Sequence, residues 1–331
     1  MRLPAPAGVV IAGLLGIGAL AVLLTAADIG TTTPPLLADP GAVVRWITPV
    51  LRVIVDLAMA AALGSLTLAV LLDAAEPYRP ALLLAARASA LWSLSQALLL
   101  IMMVSRAAGV GLTDAALWPV ARSLVTETSG GLGAAVAVMA SGAAALALAM
   151  VSWGGQRWAP YVAGGLVVVG VLSWAPSGHA TSSAAGASAL IGRAMHLLGV
   201  GAWVGGLLAL VLLWPQLWDH RRAVNAAQGF SIMAGGAYLL VAGSGLATGL
   251  AVVGRVDPFG SPYTRLMVAK TLLLLVLGGL GAWHRARHLR RLDRAGARGL
   301  LTLAVAELAV MAVVIAFAAV LADTPPPGSL H

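Results

Sequence analysis

Apolar residues along this chain come in long, nearly unbroken runs, separated by short polar stretches rich in Gly, Pro and Arg. We read nine such runs, at 8–28, 44–72, 81–106, 131–153, 159–175, 186–214, 229–253, 264–284 and 299–322. Most reach the roughly 20 residues that a helix needs to cross a hydrocarbon core of about 30 Å. The pattern therefore predicts an all-α, polytopic integral membrane helix bundle of about nine spans. It forms one transmembrane domain over 1–331, with N-terminal helices over about 8–153, a core over about 159–322 and a disordered tail at 323–331. The first run follows Arg2 and could be taken for a secretory leader. Its apolar part is longer than a usual leader core, which favours a retained helix. The connection 107–130, with Trp118-Pro119, is predicted to hold a short interfacial helix or a gating segment.

Polar residues inside these runs are few, and each needs a reason. A central charge costs about 2.5–3.5 kcal/mol on insertion scales. Arg52 and Asp56 stand at i, i+4 in the second run, where a self-neutralised structural pair is the simplest reading. Arg193 lies in the sixth run one turn before His196, Lys270 in the eighth and Glu307 in the ninth. Lys270 and Glu307 stand at different depths of their runs, which leaves a direct pairing between them open. At helical spacing Gly192, His196, Gly199, Trp203 and Gly206 fall on one stripe. That stripe is an imidazole among residues too small to cover it, so a neighbouring backbone or a ligand can come close. The small-residue pairs Gly201/Gly205 and Gly245/Gly249 read as close helix packing in the same way. His179 lies in the Gly/Ser/Thr-rich connection just before this run.

Composition agrees with a bilayer protein. The chain is 60% hydrophobic and 10% charged, against roughly 25% charged for a soluble domain. The net charge of +8 is not a nucleic-acid footprint, because the arginines collect in alternate connections. Eleven fall on one side (Arg2, Arg79, Arg157, Arg221, Arg222 and six between Arg285 and Arg298), and five on the other (Arg45, Arg106, Arg122, Arg255, Arg265). By the positive-inside rule the N-terminus is in the cytoplasm and the C-terminus outside. His179 then faces outward, and His196 lies roughly 15 Å further down its helix, near the midplane. There are no cysteines, so any metal would be held by His, Met, carboxylate or backbone oxygen. Met195 and Met267 are candidate soft ligands, although methionine in an apolar helix more often packs. No P-loop, HExxH or Gly-x-Ser-x-Gly sequence is present; the chain is read as a non-enzyme.

Three stretches resemble the CopD family of copper-resistance and copper-uptake membrane proteins. They are SGHA (177–180) with HLLGVGAWVGGLLAL (196–210), SPYTRLMVAKTLLLLVLGGLGAWHRAR (261–287), and Glu307 with the proline-rich exit that follows it. The N-terminal half, including GAVVRWITPVLRVIVDLAMAAALGSL, resembles actinobacterial members fused to a CtaG-like oxidase-assembly domain. The sequence departs from some relatives in lacking a CopC-like copper-binding domain and the CtaG-like half. The resemblance implies copper handling at the bacterial plasma membrane, with a CopC-type donor and a CtaG-like assembly protein as partners besides the lipid. The expected function is copper transport, inward, with His179 capturing the ion and His196 holding it. Met195 and Met267 would add soft ligands, while Asp56, Arg193, Lys270 and Glu307 line the pathway. An inside-negative potential drives a cation inward by about 2.3 kcal/mol per charge per 100 mV, without nucleotide. Two alternatives stand beside this: a non-transporting factor that delivers copper to cytochrome oxidase, and a b-type haem electron-transfer protein.

Overall fold

Each predicted run that can be followed in space is a helix. A computed structural model of the protein describes residues 13, 16–18, 40–72, 78–154, 157–175, 186–217, 220–253, 262–287 and 294–323, and no strand occurs among them. Helices α1 (Ala42–Leu72) and α2 (Arg79–Ala108) form a hairpin, followed by the short α3 (Leu117–Glu127). A second hairpin joins α4 (Ser129–Gly154) to α5 (Ala159–Trp174). Helix α6 (Gly186–Val200) runs through a π-helical turn, Gly201–Gly205, into α7 (Gly206–Leu213), and a 3-10 turn at Trp214–Gln216 ends that span. Helices α8 (His220–Val253), α9 (Pro262–Arg287) and α10 (Arg294–Asp323) complete the described part.

Seven of these segments are long and apolar enough to cross a membrane, with α6, the π turn and α7 acting as one. The exception is α5, an apolar helix of 16 residues. The first predicted span, 8–28, lies outside the described residues except at four positions. Where α3 stands, the sequence predicted an interfacial helix or a gate. It is an amphipathic helix with no buried residue, and its Trp118 is 79% exposed.

Local chemistry explains several boundaries. Pro80 and Pro160 stand in the first turns of α2 and α5, where a missing N–H costs nothing. Helix α2 ends at Gly109, whose φ of 66° is the left-handed conformation that a Cβ disfavours. The Ser105 hydroxyl donates to the carbonyl of Val110 (2.6 Å) and seals that end. Pro49 sits inside α1, and just before it Thr48 donates its hydroxyl to the Val44 carbonyl (2.5 Å). Such back-bonding keeps a proline-interrupted helix satisfied in lipid.

Helix α1 is buried along most of its length and touches α2, α5, α6, α7, α8, α10 and the π turn. Its closest neighbour is the π turn. A Cβ on Gly205 would overlap the Ala60 carbonyl, and one on Gly64 would overlap the backbone of Gly205 and Gly206. The two backbones are therefore in direct contact, as the Gly201/Gly205 pair predicted. Gly245, by contrast, has nothing within 4 Å of a Cβ among the described residues, so no such contact is formed there.

This contact sets the relative height of the helices. The α6–α7 span runs parallel to α1, so His196, nine residues before Gly205, comes level with the Arg52–Asp56 turn at a shared rise of about 1.5 Å per residue. The α1–α2 hairpin is fixed by the Tyr78 N–H donating to the Ala69 carbonyl (3.2 Å). By the same count Asp56 is level with Leu91 and Trp92 of α2. Tyr78 also donates its hydroxyl to the Gln216 carbonyl (3.1 Å), joining that hairpin to the end of α7. On the far side α9 is packed lightly, with Leu272, Leu275, Val276 and Trp283 all exposed.

Replacing Gly205 or Gly64 by leucine forces two backbones apart. We expect loss of monodisperse protein in detergent, a cost above the 1–3 kcal/mol typical of overpacking. Gly245→Ala, into open space, stays within about 1 kcal/mol of the parent. Equal melting curves for Gly205→Leu and Gly245→Ala would refute the crossing.

Candidate functional site

Five of the polar residues singled out inside the apolar runs come together: Arg52, Asp56, Arg193, His196 and Lys270. Asp56 of α1 lies within electrostatic reach of Arg52 on its own helix, Arg193 of α6 and Lys270 of α9. Its carboxylate accepts a hydrogen bond from the indole N–H of Trp174, the last residue of α5. Lys270 has Arg193 and Asp56 as its charged neighbours, and His196 has Lys270 and Arg193. Asp56, Arg193, His196 and Lys270 are half-buried, while Arg52 is 8% exposed. The Arg52–Asp56 pairing expected from spacing is thus one side of a larger cluster contributed by α1, α5, α6 and α9.

The glycine stripe on α6 faces α8. A Cβ on Gly199 would meet the Val241 side chain at 2.9 Å and the Ala237 carbonyl at 3.1 Å. Trp203 packs edge-on against Tyr238, with ring centroids 5.2 Å apart and planes at 86°. One at Gly206 would meet Phe230 and Met233. The neighbour that the stripe admits is therefore a helix, except at Gly192, which nothing covers within 4 Å.

On this face His196 has a defined partner. Its Nδ1 is 2.9 Å from the Ser244 hydroxyl oxygen. Ser244 has one proton, and it donates that to the carbonyls of its own helix, Leu240 at 2.7 Å and Val241 at 3.1 Å. Nδ1 is thereby engaged by the hydroxyl, and the ring is within hydrogen-bonding reach of the Val241 carbonyl as well. In the tautomer that donates from Nδ1, Nε2 keeps its lone pair, the state in which imidazole binds a metal.

The remaining candidates are placed as follows. Met267 is half-buried on α9, one turn before Lys270. Met195 is 39% exposed, unlike its half-buried neighbour His196. Glu307 is buried on α10. His179 lies outside the described residues. Among the described residues no three His, Cys, Asp or Glu side chains converge into a ready metal cage. Sequence reasoning missed Trp174 and Ser244, because neither a helix-terminal tryptophan nor a serine in an apolar run signals its partner on another helix.

The Trp174–Asp56 bond is testable by itself. Trp174→Phe should lower stability by about 1.5–3 kcal/mol, the range for a hydrogen bond to a charged group. In an Asp56→Ala background the same change should cost much less. Additive losses on unfolding in detergent would mean that the two do not interact.

Comparison with known proteins reaches the second half of the bundle. No curated protein and no solved structure matches the chain. Residues 224–321 match the family described as CopD, Copper resistance protein D. The match takes in most of α8, α9 and α10, hence Ser244, Met267, Lys270 and Glu307, while His196 precedes it. The resemblance read from the sequence is therefore matched by an independent family description over residues 224–321, in a chain whose described residues form a multi-pass, all-helical bundle.

Proposed function

We propose that the protein carries copper inward across the bacterial plasma membrane, with His196 as the ion's ligand inside the bundle. The observation that carries this reading is the 2.9 Å hydrogen bond between Nδ1 and the Ser244 hydroxyl, which orients the ring and on this reading leaves Nε2 for the ion, in a layer containing the carboxylate of Asp56. On this reading the bundle has nine spans with its N-terminus in the cytoplasm, as the arginine distribution requires. His179 takes up the ion at the outer mouth, from solution or from a CopC-type donor, and His196 receives it below. Met267 adds an optional soft ligand, and the more exposed Met195 is the less suited of the two. Glu307 contributes to the field of the pathway. A CtaG-like assembly protein would be the acceptor on this route.

The charge around His196 supports passage over storage. Arg193 and Lys270 repel a cation held there, while Asp56, which interacts with both of them, offsets part of their charge. An ion in transit must be bound well enough to enter and weakly enough to leave. One imidazole beside two cations that a carboxylate partly neutralises makes a site of that kind.

At matched protein levels, His196→Ala should abolish most copper accumulation in cells; unchanged accumulation would refute the mechanism. Normal cellular copper with lost oxidase activity, after deletion of the protein, would instead support the assembly-factor reading. Binding to purified protein gives a finer test. Ser244→Ala should weaken copper binding about tenfold, as the loss of a ligand-orienting partner does elsewhere. Asp56→Asn should weaken it and Lys270→Met should tighten it, each on the order of tenfold for a unit charge in a partly screened site. If Lys270→Met weakened binding, the lysine would be part of the ion's site and not a repelling charge.

A further inference from the structure

The polar layer extends beyond the charge cluster into the N-terminal hairpin, outside the stretch that matches the copper-resistance family. Ser89, Trp92 and Gln96 follow one another at helical spacing on a single face of α2. All three are fully buried. The hydroxyl oxygen of Ser89, the indole Nε1 of Trp92 and both Oε1 and Nε2 of Gln96 have no hydrogen-bond partner among the described residues. Four such atoms on one helix face, at membrane depth, are too costly to leave unsatisfied.

Their position ties them to Asp56. Trp92 is level with Asp56 by the register of the α1–α2 hairpin, and Gln96 lies about one turn further along α2, level with Arg52. A Cβ on Gly170 of α5 would come within 2.7 Å of the far edge of the Trp92 ring. Trp174 follows Gly170 by one helical turn, on the same face of α5, and donates to Asp56. The unsatisfied face of α2 and the carboxylate thus border the same α5 surface.

The donor set selects the ligand. The Trp92 and Gln96 N–H groups repel a bare cation, and the Gln96 carbonyl oxygen repels an anion. An apolar molecule would satisfy none of them. Water both donates and accepts, and a buried water makes about three hydrogen bonds to such groups. We propose that Ser89, Trp92 and Gln96 bind internal water, forming a hydrated site on the buried face of α2, which α5 reaches at Trp92, that continues the polar layer of Asp56 and Arg52. The site does not depend on the copper reading, since it uses none of the candidate metal ligands.

Millisecond radiolytic hydroxyl labelling of the full-length protein in nanodiscs tests this, because the radical forms where water is bound. We expect Trp92 to be oxidised despite its burial, while Met311, equally buried in an apolar part of α10, stays unmodified. An unlabelled Trp92 in the wild-type protein would show a dry site and overturn the proposal, whatever any variant does. In Gln96→Leu, labelling of Trp92 should fall to the level of Met311. Undiminished labelling in that variant would remove Gln96 from the site and overturn the proposal as stated.

Discussion

The contact on which the arrangement rests is the crossing of α1 with the π turn, where Gly64 and Gly205 bring two backbones together with no side chain between them. Association of helices in lipid gains nothing from hiding apolar surface from water, so close packing and polar contacts must supply it. A π turn places one more residue in the turn than an α-helix does, and such turns recur at functional sites. Here it presents Gly201 to Leu63, Gly205 to Ala60 and Trp203 to Tyr238. One irregular turn thereby holds α1 on one side and α8 on the other.

What the crossing fixes is height. Once Gly205 is seated on Ala60 and Gly64, His196 must come level with Arg52 and Asp56, and the hairpin brings Trp92 level with them from the other flank. Residues separated by more than 200 positions in the chain, from Arg52 to Lys270, thus share one stratum of the bundle. Ion pairs in such a layer are not bonds that hold the helices together. They are the means by which charges already brought to one depth by packing tolerate a low dielectric.

Seven of the spans, their helical nature and the glycine stripe were legible in the sequence because each rests on a local pattern: run length, composition or period. The Arg52–Asp56 pair was legible for the same reason, being four residues apart on one helix. Arg193, His196 and Lys270 could be named singly as polar groups in apolar runs, but not joined, since nothing local encodes which helices become neighbours. Trp174 and Ser244 passed unnoticed because a tryptophan at a helix end and a serine inside a span are common in membrane helices and carry no partner's address. Gly245 looked like Gly205 in sequence, yet among the described residues nothing lies within 4 Å of a Cβ placed there.

Helix α9 has its exposed leucines, Val276 and Trp283 turned outward and is packed lightly against its neighbours, yet it carries Lys270 into the charged layer. A helix held that way takes its tilt largely from the hydrocarbon around it. A bilayer thicker or thinner than its apolar length is accommodated by tilting, at a modest cost per ångström of mismatch. Each degree of tilt moves the lysine relative to Asp56 and His196, whose own heights are locked by the glycine crossing. The thickness of the surrounding membrane is therefore built into the electrostatics of this bundle, through a helix packed far more lightly than α1.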